Sequence, residues 1–162
     1  MKKGLFFLSS VIAAVFLFIA ASQIISASAA TKTVSIGDRL SMEQSKYTGK
    51  WKSNDLTVEY SYSKDQGQVE LSGTVTFAMY LVMGYGHLDN FRLGVIFLDE
   101  NGRVLQETGL ATNRDTLDPM PFKRKVNLPP NAVSMAFTYQ GKATSSGGNG
   151  AGPISFNFSP IR

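Results

Sequence analysis

The chain has 162 residues, 16 of them Lys or Arg against 12 Asp or Glu, for a formal net charge of +4, and it contains no cysteine. A chain without cysteine has no disulfide, no thiolate metal site and no lipid-modified cysteine at its N-terminus. Two of the cations are Lys2 and Lys3; without them the basic residues fall to 14 against the same 12 acids, so the charge makes no case for nucleic acid.

Lys2 and Lys3 stand before an apolar run from Leu5 to Ile25, broken only by Ser9, Ser10, Ser22 and Gln23, and Ala27-Ser-Ala-Ala30 follows. A positive start, an apolar middle and small residues at −3 and −1 make the pattern of a secretory signal peptide. Residues 1–30 are therefore expected to form a signal helix removed on export, leaving a periplasmic or extracellular protein with no membrane span. The alternative is an uncleaved helix anchoring the chain to the inner membrane, because the run approaches the ~20 residues that cross a bilayer.

Residues 31–50 are polar, with Val34, Ile36, Leu40 and Met42 scattered among them. They read as an extended N-terminal arm with a short strand at 33–36 and a helical turn near 41–45. Residues 51–162 read as the folded domain. Trp51, the one tryptophan, is placed to anchor the first strand on the core. Leu56, Val58, Tyr60 and Tyr62 then alternate with Thr57, Glu59 and Ser61, as a strand with one wet face does. After a turn ending at Gly67, Val69, Leu71, Gly73, Val75 and Phe77 alternate again, so the two strands predict an antiparallel hairpin. The run 78–83 is continuously apolar and reads as strand, ended by Gly84 and a loop that carries His87.

The next stretch is the strongest signal. Phe91, Leu93, Val95 and Phe97 share one face of a strand, while Ile96 and Leu98 make the other face apolar too. Asp99-Glu-Asn-Gly102 supplies a turn, and the return strand starts at Arg103. A polar crossover at 111–121 leads to 122–126, whose Lys123, Arg124 and Lys125 suit an exposed edge. Val133, Met135, Phe137 and Tyr139 alternate after Leu128-Pro-Pro-Asn131, a glycine-serine loop covers 144–152, and Ile154, Phe156 and Phe158 close the chain. About seven to eight short strands with regular turns, and no helix after the signal, predict an all-β antiparallel sandwich.

Val69-Glu-Leu-Ser-Gly-Thr-Val75, Phe91-Arg-Leu-Gly-Val-Ile-Phe-Leu-Asp-Glu-Asn-Gly-Arg-Val-Leu105 and Leu128-Pro-Pro-Asn-Ala-Val-Ser-Met-Ala-Phe137 together resemble the FxLYD-type and related immunoglobulin-like modules of bacterial envelope proteins. Leu98 stands where that family has tyrosine before the aspartate, and its usual asparagine after the glycine-valine strand is missing. The resemblance implies an immunoglobulin-like sandwich with no catalytic residues, serving as an accessory or interaction unit.

Chemistry-bearing residues are few. His87, the one histidine, lies two residues from Asp89, but a metal or acid–base site needs several converging groups, and a solvated loop histidine is the plainer reading. No Gly-x-Ser-x-Gly elbow accompanies it. Asp99-Glu-Asn-Gly102 gathers oxygen ligands yet is too short for a calcium loop and reads as a turn. Gly147-Gly-Asn-Gly-Ala-Gly152 lacks the Gly-Lys-Ser/Thr of a phosphate loop. Lys123-Arg-Lys125 alternates across a strand, so the three cations do not share a face.

The expectation is thus a secreted, non-enzymatic sandwich without metal or cofactor. Its role would be protein-partner binding or structure in the cell envelope. The alternative is a carbohydrate- or small-ligand-binding module using loop and sheet-face aromatics. The ligand-binding candidates are Trp51, Tyr85 and His87, and the partner is an envelope protein or a glycan.

Overall fold

Period-two alternation gives nine strands among the residues that the computed structural model describes, 31–145 and 152–162. They are β1 (Leu40–Ser41), β2 (Lys46–Lys52), β3 (Leu56–Asp65), β4 (Gln68–Phe77), β5 (His87–Leu98), β6 (Val104–Asn113), β7 (Met120–Asn127), β8 (Ser134–Thr144) and β9 (Ile154–Phe158). A short helix, α1 (Met79–Gly84), separates β4 from β5. The signal helix expected at 1–30 and the centre of the glycine-serine loop lie outside the described residues.

Two antiparallel sheets face each other. One runs β2-β3-β4-β7; the other runs β1-β8-β5-β6, with β9 also paired to β8. The β3–β4 hairpin turns on Gln66 and Gly67, both at positive φ (44° and 76°), which matches the twist of the flanking strands and extends both of them to the turn.

Phe91, Leu93, Val95 and Phe97 point between the sheets and join Leu56, Leu71, Val75, Met135 and Phe137 in the main core. The parity read from the sequence is the observed one. Ile96 and Leu98 face the other way and are just as buried, because Val34, Ala136, Val104 and Ile161 cover them. Both ends of the described chain make that cover: Thr33 bridges Arg103, and Val34 bridges Ile161.

Residues 31–50 are therefore woven into the sandwich. The strand expected at 33–36 reduces to those two bridges, followed by a 3-10 turn at Ile36–Asp38. The helical turn expected near 41–45 does not form: Ser41 pairs with Ser134, and Met42 is buried between the sheets. Burying Met42 outweighs the weak local helix preference of a polar pentapeptide. The arm-to-domain boundary expected at 50/51 falls inside β2.

The run 78–83 departs most from the expectation. It forms α1, with Leu81 buried and its neighbours turned to solvent. An unbroken apolar run carries no periodicity to separate helix from strand, and only the buried Leu81 serves the core.

At the β5–β6 turn, Gly102 sits at φ 77° with the Arg39 guanidinium against it. Arg39 donates to the carbonyls of Val34 (2.9 Å), Glu100 (3.3 Å) and Asn101 (3.0 Å). Asp99 Oδ1 accepts from the N–H groups of Asn101 (2.9 Å) and Arg103 (2.8 Å). The Asp99 carboxylate is thus spent on backbone geometry, as a turn requires.

Candidate functional site

One end of the sandwich gathers the β2–β3 turn, α1, the start of β5 and the end of β8. Ala78 N–H donates to Asp55 O (2.7 Å), Gly86 N–H to Thr144 O (3.1 Å), and Leu88 N–H to Asp115 O (3.0 Å). Within the β2–β3 turn, Ser53 Oγ accepts the N–H groups of Asp55 (3.2 Å) and Leu56 (3.1 Å), closing a side-chain turn that aims Asp55 at the neighbouring elements.

Asp55 clamps two tyrosines. Tyr80 of α1 donates to Oδ1 at 2.5 Å, and Tyr139 of β8 donates to Oδ2 at 2.6 Å. Ser53 Oγ lies 2.9 Å from the Tyr139 oxygen. Hydrogen bonds to a carboxylate are short and strong, so this bridge ties α1 to both sheets. Burial, and then the bond to Asp55, push the Tyr80 hydroxyl up to about 12; the same two causes, in the same order, raise Tyr139 further. Both phenols stay protonated donors at physiological pH.

Beyond the clamp, α1 presents Met79 (72% exposed), Met83 (78%), Val82 (45%) and the ring of Tyr80 (46%) to solvent. Four large apolar-bodied residues on so short a helix form an apolar cap.

A second cluster centres on Asp89. The β5–β8 register shifts between Leu88 and Asn90, leaving Asp89 as the extra residue of a bulge, and bulges re-aim side chains. Its Oδ1 accepts from Thr144 Oγ1 at 2.9 Å and lies 3.9 Å from His87 Nε2, while Oδ2 is 3.6 Å from Lys142 Nζ. His87 is half-exposed and is the first residue of β5, opposite Thr144, where a loop position had been expected. Among the described residues no three His, Cys, Asp or Glu side chains group to hold a metal ion.

The three residues singled out in the sequence fare differently. Trp51 is half-buried, its ring 5.5 Å from that of Phe137, 5.3 Å from Phe158 and 6.1 Å from Tyr139. It closes the open side of the core, as an anchor does. Tyr85 follows α1 and packs on the core while partly exposed. Tyr85 and His87 stand at the same end as the clamp, and Trp51 reaches it through Tyr139.

Sequence reasoning missed Asp55, and it read the residues of α1 as strand. The available signal was an apolar run, 78–83, with no alternation and a glycine behind it. No family model, curated protein or solved structure matches this chain.

Proposed function

We propose that the protein is an exported, non-enzymatic β-sandwich that binds a protein partner in the cell envelope through its α1 end. The observation that carries this reading is the exposed Met79, Tyr80, Val82 and Met83 on a helix held in place by Asp55. A contiguous exposed apolar patch marks interaction surfaces, and methionine adapts its shape to a partner. Export rests on the Lys2-Lys3, apolar and Ala-Ser-Ala order of the N-terminus. The resemblance to envelope sandwich modules points the same way.

A photoreactive side chain at position 83 tests it in intact cells. The expected result is a discrete crosslink to an envelope protein, absent when the probe sits at position 59 on the outer face of β3 and lost when Met79→Lys is added. No crosslink from position 79 or 83 overturns the assignment of the surface. Turnover of a hydrolase or esterase panel, abolished by His87→Ala, overturns the non-enzymatic reading.

One observation favours the alternative, a carbohydrate or small ligand. A shallow groove of about 450 Å³ on the outer face of the β5 sheet is lined by Arg92, Glu107, Thr138, Gln140 and Asn157 over Gly94 and Gly109. Phe158 also lines it, and its ring is 5.3 Å from Trp51. A tryptophan fluorescence change on titration with envelope glycans would support this reading; a flat trace at saturating glycan removes it.

A further inference from the structure

The sandwich has edges of very different character. β2 carries Lys46, Lys50 and Lys52, and β7 carries Pro121, Lys123, Arg124 and Lys125. Lysine and proline on an edge discourage another strand from pairing there. β6 is an edge of the other sheet, runs from Val104 to Asn113, and holds neither proline nor any cation; Glu107 is its one charge.

Part of this edge already accepts an added segment. Val104 N–H donates to Lys32 O (3.0 Å), and Val34 N–H donates to Gly102 O (2.9 Å), so the segment at 32–34 lies along the first residues. Val104 therefore turns its peptide groups away from β5. In an antiparallel ladder such pairs alternate with hydrogen-bonded ones. β6 bulges at Leu105, but β5 runs on without a break: Leu98, Ile96 and Gly94 alternate along it and pair with Val104, Glu107 and Gly109, so Glu107 and Gly109 also turn their N–H and C=O groups outward. No chain segment among the described residues pairs with that stretch.

Gly109 adds a second observation. Its φ lies outside the left-handed range, and a Cβ there would meet nothing within 4 Å. Gly109 borders the register shift at which Leu110 is the extra residue of β6, and a glycine beside a bulge leaves the backbone bare to close approach from outside.

Beside the same half of the edge runs a groove of about 420 Å³, lined by Arg92, Gly109, Leu110, Thr112, Lys123 and Arg124. Lys123 is paired with Glu70 at 2.9 Å. Arg92 and Arg124 have no carboxylate within ion-pair distance among the described residues.

We propose that the free part of β6, Glu107 to Thr112, is a strand-addition site for an extended, acidic segment of a partner polypeptide. Outward N–H and C=O groups supply the ladder, and Arg92 and Arg124 select acidic side chains. A second copy of this chain fits poorly, because the strand it would add, β6, carries Glu107 alone to set against Arg92 and Arg124. The site extends the partner-binding reading to a surface separate from α1.

The test uses purified protein and a peptide, the length of β6, that alternates glutamate with valine. It is expected to bind, to slow amide hydrogen exchange at Glu107 and Gly109, and to weaken about tenfold in Arg92→Glu/Arg124→Glu with the melting temperature unchanged. The same peptide N-methylated at alternate residues loses the ladder and should not bind. Three results overturn the proposal: equal binding of the N-methylated peptide, which makes it charge attraction alone; equal binding of a lysine-for-glutamate peptide; or a β6-dependent dimer in sedimentation. Crosslinking from position 83 is read independently, so failure here and failure at α1 are distinguishable.

Discussion

At the β5–β6 turn, Arg39 satisfies three carbonyls and Asp99 two N–H groups, so a cluster of charged residues is consumed by the chain itself. At the opposite end, Asp55 also spends its carboxylate on the chain, but the helix it fixes leaves Met79 and Met83 mostly in water. Similar polar chemistry thus closes one end and presents a surface at the other. The difference teaches that the charged groups at these two ends are structural, and that what the second end leaves to solvent is apolar. Removing a group from the first end should cost stability, whereas changing the cap of the second should cost binding alone.

The largest effect is expected where both ends depend on the same core. Phe97 is fully buried between the sheets, and truncating such a ring typically costs about 3–5 kcal/mol, against a total of about 5–15 kcal/mol for a domain. Phe97→Ala should therefore unfold or nearly unfold the protein in a thermal melt. A melt within a few degrees of the parent would mean that the core is not shared in this way.

Gly102→Val comes next and tests the closed end. A β-branched residue at φ 77° carries backbone strain of about 1–3 kcal/mol, and its Cβ would displace the Arg39 guanidinium from its carbonyls. Chemical denaturation should show a lowered midpoint with an unchanged slope. An unaltered midpoint would show that Arg39 does not hold this turn.

Tyr139→Phe tests the clamp at the other end. It leaves Asp55 with one phenol donor, a loss of about 1–2 kcal/mol for a hydrogen bond to a charged group that is only partly buried. The clamp also predicts a pH dependence. Burial and then Asp55 raise Tyr80 to about 12, and Tyr139 shifts in the same direction from the same causes. These phenols release protons less readily folded than unfolded, so their contribution is complete below pH 10 and is lost as pH rises from 10 through 12. Asp55→Asn should make that alkaline loss of stability shallower. An identical slope would uncouple the tyrosines from Asp55.

How far the sequence could be read follows from where the information lies. The strands β3 and β4 were legible because each buries one alternating face, and β5 because Phe91, Leu93, Val95 and Phe97 share one, so the parity of Phe97 came with them. The bulge at Asp89 and the helix at Met79–Gly84 were not, because bulges and unbroken apolar runs leave no period. The Asp55 clamp joins residues far apart in the chain, Asp55 to Tyr80 and to Tyr139, and only the packing of the two sheets brings them together. Trp51, next to the end of β2, was legible as an anchor for the opposite reason: a lone tryptophan is most often needed by the core.

The smallest expected effect on stability is also the sharpest test of the contrast between the ends. Met79 and Met83 bury little of their side chains, and substitutions at exposed positions usually stay within about 0.5 kcal/mol. Met79→Lys with Met83→Lys should melt with the parent, since Tyr80 keeps its bond to Asp55 and Leu81 keeps its place in the core. If the cap is an interaction surface, the same double change should abolish partner crosslinking from position 82, where the side chain faces solvent beside both methionines. A variant that loses several degrees of melting temperature would mean that the methionines pack against the fold. In that case α1 is one more closed end, and the apolar cap no longer argues for a partner.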